Sequence, residues 1–393
     1  MIRILITFLV FFYACSFNDE HSLPESVVNI KNLYSYTNSR DTVPKVSISF
    51  KKEIEYGKLN DNFILSRVGD IIVDSLGRVF IADLHEMSIK VFEPDGQLVT
   101  QLGREGRGPG EFSYIKDLQI SNKFLYAIDT NFGVRRIIKY HLNDLGNKET
   151  TVLAKNRKNY SLLSKAYPGI YNMYVLDDHY YLAEFVIQET KPTKEWQNIE
   201  LTGLLYIIDS EGYITSDLIH EFQEAILVNK TKGLLAPIRP FFGTSFIEVS
   251  SKRDIHLTDP KLFLIKNFNA KGSYKRTFYY PVKEILITPE SAAKAGLYEY
   301  FIQNMRFIND LPLNWPVIRN MKTDDENRIW VAVTVENMSV YEWWVLESSG
   351  ELLTKFKWPR DKPIQQIRDE YLYTKEKDEE GADMVVKYSI DIN

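Results

Sequence analysis

Three aspartates, Asp83, Asp129 and Asp259, each follow a short apolar strand pattern in a different part of the chain. Carboxylates placed this way can ring the mouth of a channel and offer the several oxygens that a hard cation such as calcium requires. The same position lets each carboxylate accept backbone N–H groups and hold its own turn. Recurrence at one repeat position favours that structural role, and Glu184 and Thr334 in two other units break a symmetric metal ring. Arginines form a second group, because Arg135, Arg136, Arg239, Arg306 and Arg319 fall at repeat junctions and insertions. Several of them at one mouth would grip a carboxylate or phosphate through bidentate hydrogen bonds, whereas singly they suit ion pairs between repeats. Phe241, Phe242, Trp315 and Trp330 offer aromatic faces for a sugar or peptide, or core. The channel-mouth candidates for ligand binding are therefore Asp83, Asp129, Arg239, Arg306, Trp315 and Arg319.

Other chemistries lack the spacing they need. The histidines at 21, 85, 141, 179, 220 and 256 form no close pair, no HExxH pattern and no cysteine-assisted set, so zinc has no support. A GxSxG elbow is also absent. The glycine-rich segment 103–112, GREGRGPGEF, joins strand to strand, leaving no helix N-terminus to cradle a phosphate. Its expected role is to carry the chain from the outer strand of one repeat to the inner strand of the next. Phe112 would wedge between the two, with Glu111 holding the turn. No catalytic residue, metal ligand or cofactor is expected; calcium would suit the carboxylates but has no support in the sequence.

The elements that must position these residues are short strands. Residues 69–112 read as four strands of four or five residues, rich in Ile, Val, Leu and Phe, separated by turn residues at 74–77 and 94–96. The first turn recurs at 121–124, 177–179, 250–254, 324–328 and 368–370, each time before a strand pattern. The second recurs only at 143–146, 209–212, 269–272 and 348–350. One unit is thus short of its outer strand, while the VSISF strand at 46–50 has no partner of its own. Placing that strand in the last unit gives an all-β, six-bladed β-propeller closed by its N-terminal strand, with no exposed blade edge. Two segments depart from the repeat. Residues 221–242 read as a long ordered loop or short helix. Residues 288–309 read as an inserted helix capped by Thr288, with Pro289 in its first turn.

With 24 Tyr, 22 Phe and 6 Trp and charged residues at 26%, the 393-residue chain suits a globular protein with a large core. A formal net charge of −5 without a basic stripe argues against nucleic-acid binding. Residues 1–14, MIRILITFLVFFYA, have the layout of a secretory signal, too short in their apolar stretch to span a bilayer. Cys15, the only cysteine, follows directly. The junction at 12–15 resembles a bacterial lipobox, with Phe12 where Leu is preferred and a bulky Tyr13 beside it. That resemblance implies lipidation of Cys15, and an unpaired cysteine would otherwise be anomalous in an oxidising compartment. Ser16, Asp19 and Glu20 resemble the sorting pattern of outer-membrane lipoproteins in Bacteroidetes. The expected division is a signal peptide at 1–14, a tether at 15–45 and a propeller at 46–393.

VFIAD, IKVFEPDG and GREGRGPGEF together resemble the NHL-type repeat and, more closely, the six-bladed, NHL-like or TolB-like propeller lipoproteins of Bacteroidetes. Trp315 with the DDENRIWV stretch resembles the fifth blade of the same family. The resemblance implies a fold and a cell-envelope location, on the periplasmic or surface side of the outer membrane, rather than a mechanism. The expected function is a lipid-anchored, extracytoplasmic binding module for a glycan, a peptide or a neighbouring envelope protein, attached to the membrane through its N-terminus. The alternative is a metal-dependent hydrolase or lyase of the NHL-like or lactonase-like kind.

Overall fold

The computed structural model describes residues 23–57, 65–131, 134–153, 170–188, 196–231, 234–238, 241–297 and 311–393. Residues 1–14, expected as a signal peptide, and Cys15 lie outside them. Six antiparallel sheets follow one another along the chain. Blade one runs through Val68–Val73, Val79–Asp83, Ser88–Phe92 and Leu98–Leu102. Blade two comprises Ile115–Ser121, Phe124–Asn131, Val134–His141 and Asp144–Val152. Blade five comprises Ile318–Thr323, Ile329–Thr334, Val340–Leu346 and Leu352–Pro359. The first strands of successive blades touch all the way round, including the last blade against the first, so the sheets form a closed ring about a channel.

Turn chemistry sets this meander locally. In blade one, Asp74 Oδ1 accepts the N–H groups of Leu76 and Arg78, both at 2.9 Å, and its Oδ2 accepts Arg78 Nε at 2.8 Å. Blade five repeats the device, with Asp324 accepting both the N–H and the Nε of Arg328. Each turn needs one residue in the left-handed region, supplied by Gly77 (φ 78°) in blade one and by Asn327 (φ 67°) in blade five.

Packing between blades explains the composition of the second strands. Val79–Asp83 and Ile329–Thr334 are buried along their whole length, because a neighbouring blade covers each of their faces. Phe80, Ala82 and Val91 of blade one pack on Leu118, Leu125 and Ile138 of blade two, with Phe112 fully buried between them. Gly103 (φ 72°) makes room for that ring, since a Cβ there would lie 2.3 Å from Phe112. Arg136 pins the crossover from below, donating to Arg107 O at 2.7 Å and Glu111 O at 3.0 Å, and Glu111 accepts Gly108 N–H at 2.8 Å.

Closure follows the expected route. Ile48–Tyr56 pairs antiparallel with Asp383–Ile392, from Ile48 opposite Ile392 to Tyr56 opposite Val385, and completes the sheet of Ile364–Arg368 and Tyr371–Lys377. Residues 23–45, expected as tether, carry structure of their own. A short helix, Glu25–Val28, buries Val27 against Leu264 and Tyr279. Leu33–Ser35 then adds a parallel fifth strand beside Tyr274–Tyr279 of blade four, whose other strands are Ile247–Val249, Ile255–Thr258 and Leu264–Phe268.

Two expectations need correction. Most of the described part of 221–242 is strand, not loop or helix: His220–Thr231 and Leu234–Ile238 continue blade three outward from Asn172–Val175, Tyr180–Gln188 and Trp196–Asp209. The 14-residue strand Trp196–Asp209 outreaches its inner partner and pairs from Trp196 to Leu205 with His220–Thr231. Pro237 is compatible because its strand is the sheet's outer edge. The inserted helix is the six-residue Pro289–Lys294. Thr288 caps it as expected, accepting Ser291 N–H at 3.0 Å. The remainder of that stretch, 298–310, lies outside the described residues.

Phe112→Ala is expected to destabilise the protein by about 3–5 kcal/mol, measured as a fall in the denaturant midpoint with an unchanged slope.

Candidate functional site

The inner strands enclose a central cavity of about 670 Å³. Their sequences explain what faces it. In Ile115–Ser121 the apolar Ile115 and Leu118 are buried in the core between blades one and two, and Lys116, Asp117 and Gln119 bring polar groups to the cavity lining. Four inner strands carry a bulge near their start, at 68–71, 115–117, 318–320 and 364–366. An extra residue there re-aims the side chains that follow it. Asp70, Asp117, Asn320 and Gln366 come directly after or within these bulges, and all four line the cavity.

Blade-to-blade hydrogen bonds lock part of this wall. Asp70 Oδ2 accepts Leu118 N–H at 2.7 Å. The Gln119 amide reaches blade three, donating to Met173 O at 2.8 Å and accepting Val175 N–H at 2.6 Å. Lys116 Nζ donates to Tyr171 O. Lys375 Nζ reaches from blade six to Val68 O at 2.6 Å, and Asp383 Oδ2 accepts Val68 N–H at 2.9 Å.

Deeper in the channel, Asp117 meets Asp70 and takes a hydrogen bond from Gln119. Burial first, and then the Asp70 charge, raise the Asp117 carboxyl well above the usual range. Across the channel Lys322 Nζ lies 3.5 Å from Glu248. Burial raises the Glu248 carboxyl and Lys322 partly opposes it. Burial would lower the Lys322 ammonium, yet Glu248, Asp70 and Asp117 together hold it above its ordinary value. The Tyr174 phenol is raised by burial and then by the surrounding carboxylates, so it remains a neutral donor. Ser245 also lines the cavity, only 8% exposed, and its Oγ has no hydrogen-bond partner. The wall therefore offers acceptors, a phenol and neutral amides to a polar guest.

The residues nominated from sequence stand elsewhere. Asp83 is fully buried and its Oδ1 accepts His85 N–H at 2.9 Å and Glu86 N–H at 3.2 Å. Asp129 accepts Ser113 and Tyr114 N–H at 3.0 and 2.7 Å and Arg136 Nε at 2.8 Å. Asp259 accepts Lys261 and Leu262 N–H. Each holds its own loop, and none lines the central cavity. Trp315 is buried with Phe241, Ala292 and Met338, and its Nε1 donates to Ser291 Oγ at 2.9 Å. It anchors the inserted helix. Arg319 occupies the blade-five bulge and acts electrostatically on Arg360. Arg239 and Arg306 lie outside the described residues. Among those described, no three His, Cys, Asp or Glu side chains are grouped to hold a metal ion. The channel residues Asp70, Asp117, Ser245, Glu248 and Lys322 were not nominated from sequence. Their signal was the polar alternation within each unit's first strand, legible once the units are aligned on their first turn.

The raised Asp117 carboxyl makes stability pH-dependent. Between its unfolded and folded titrations the folded state holds more protons, so stability is full at low pH and falls as pH rises, by at most about 1.4 kcal/mol per unit. Asp117→Asn removes this loss, and its melting temperature relative to the unmutated protein is expected to climb from pH 4 to pH 8.

No curated protein matches the sequence. Among solved structures, a Bacteroides fragilis protein described as exported is 13% identical, with 92% of this chain and 99% of that one covered and a TM-score of 0.47. A DUF4221-family member from Bacteroides vulgatus is 9% identical over 88% and 98% of the two chains, with a TM-score of 0.45. Virginiamycin B lyase from Staphylococcus aureus is 12% identical over 87% and 99%, with a TM-score of 0.42. Residues 30–237 match the family DUF5128, described as a 6-bladed beta-propeller. With that match spanning more than half of its length and six sheets closing one ring, the chain belongs to the DUF5128 family of six-bladed β-propellers.

Proposed function

We propose that this protein is a lipid-anchored, extracytoplasmic binding module that takes a small polar molecule, or the polar end of a glycan or peptide, into the propeller channel. The observation that carries the reading is the cavity wall. Inner strands from separate blades point charged, amide and hydroxyl groups into one space of about 670 Å³. Hydrogen bonds between blades use part of that polarity, and polar groups beyond them cost free energy unless partnered. Placing ligand groups on the rigid inner strands keeps the site preorganised, which reduces the ordering cost of binding. The address rests on residues 1–15, whose short apolar stretch and following cysteine fit a lipoprotein signal.

Gln366 lines the channel and makes only one long side-chain contact, 3.4 Å to Ile367 O. A Gln366→Trp variant should obstruct the channel beside blade six while keeping the ring. In thermal-shift screening against monosaccharides, amino acids and aliphatic amines, at least one compound is expected to raise the melting temperature of the unmutated protein and to lose that effect in the variant. Shifts that persist in Gln366→Trp, or none with any compound, would remove the channel from consideration. For the address, a Cys15→Ser form is expected to lose fatty-acid labelling and to leave the membrane fraction.

A further inference from the structure

Charge is unevenly shared among the blades. Blade four, residues 247–279, carries seven Lys and Arg against three Asp and Glu, a net of +4 in a chain whose total is −5. Blade one, residues 68–102, stands across the six-bladed ring and carries two against six, a net of −4. The basic residues of blade four form no run in the sequence, but the fold gathers them. In a four-stranded meander the first and third turns lie at the same end, so Lys252 of turn 250–254 and Lys271 of turn 269–273 share one end of the blade. Lys275 pairs there with Asp254 at 2.7 Å, and its carbonyl accepts Asn32 Nδ2 at 3.1 Å, which brings Lys31 alongside. Lys31, Lys252 and Lys271 are exposed, and among the described residues none has a carboxylate at ion-pair distance. Exposed Glu200 and Glu221 on the outer strands of blade three bound the basic area on that side.

The chain reaches the ring at this same blade. Leu23 and Val27 join a cluster with Leu262, Leu264 and Tyr279, and Leu33–Ser35 pairs with the blade's outer strand. Leu23 is eight residues beyond Cys15, so a lipid carried by Cys15 can be attached no farther than about 29 Å from Leu23 on that outer edge. Resting on the reading of Cys15 as lipidated, we infer that the propeller stands edge-on at the membrane, with the outer edge of blade four against phosphate-bearing lipid headgroups and blade one turned to solution. Tether and charge select this blade independently. The anchor keeps the edge within reach, and the lysines supply an attraction that decays over a Debye length of about 8–10 Å. Each lysine close to an anionic surface contributes about fivefold in affinity. Acylation together with a basic patch is a two-signal arrangement, which holds a protein on a bilayer more firmly than either signal alone. Edge-on placement leaves both ends of the channel open to solution.

Single thiols on the full mature protein test the inference, because lipidation consumes the only native cysteine. Ser273→Cys in the third turn of blade four and Gln97→Cys in the third turn of blade one place a fluorescent donor at equivalent exposed positions. Each labelled protein is floated with vesicles that are one-third phosphatidylglycerol and carry an acceptor-labelled lipid. Energy transfer is expected to be at least about threefold more efficient from 273 than from 97. The ratio should fall toward one in half-molar salt, in pure phosphatidylcholine, and in a triple variant, Lys31→Glu with Lys252→Glu and Lys271→Glu, whose melting curve checks its fold. Equal transfer from the two positions on anionic vesicles, or a preference for 273 that survives both salt and the triple variant, would overturn the inference and leave lipidation standing. Protein that takes up no fatty acid and fails to float would end the lipidation reading and this inference together.

Discussion

The antiparallel pairing of Ile48–Tyr56 with Asp383–Ile392 is the contact on which the remaining architecture depends. Each blade is covered on both faces by its neighbours, so each core cluster is shared between two blades. The cluster between blade six and blade one joins Tyr56, Tyr373 and Val385 to Val68, Ile71 and Val79, and it exists only when the chain ends have met. An open array of the same sheets would expose one such apolar face at each end together with an unpaired strand edge. Ser47 and Asn393 finish the seam by exchanging backbone hydrogen bonds of 2.8 and 3.0 Å.

Closure also accounts for the polar interior. Six inner strands converging on one axis leave a space too wide for their side chains to fill. Part of the polar wall is structural, as with Asp70 on Leu118 N–H and Gln119 on the blade-three backbone. Bonds of this kind fix the height of one blade against the next, which apolar contact alone does poorly because it is non-directional.

Much of the fold was legible because its determinants are local. Asp74 with Arg78, and Asp324 with Arg328, build their turns from side chains four residues apart. Even the closing strand could be counted, as a strand without a turn partner facing a unit without a fourth strand. The extension of blade three was not legible, because Pro237 reads as a strand breaker until its place on an outer edge is known. The channel residues escaped for a different reason. Asp70, Asp117, Glu248 and Lys322 come from four blades, and no linear spacing relates residues that meet only through the ring's rotation. The aspartates that did recur, Asp83, Asp129 and Asp259, recur because every unit needs its own loop held.

The N-terminal segment has a mechanical meaning. It lies first as a parallel strand on blade four, then crosses blade five, where Tyr36 OH donates to Ser349 O and Thr354 Oγ1 to Val46 O, and only then enters blade six. A pull on its upstream end loads the blade-four contacts first, including the stacked rings of Tyr36 and Tyr280, 4.6 Å apart. The seam that closes the ring sits behind this strain relief, as the joint of a cable sits behind its clamp. Tension applied there would be spent on the outer rims of two blades before any of it reached the strand that holds the ring shut.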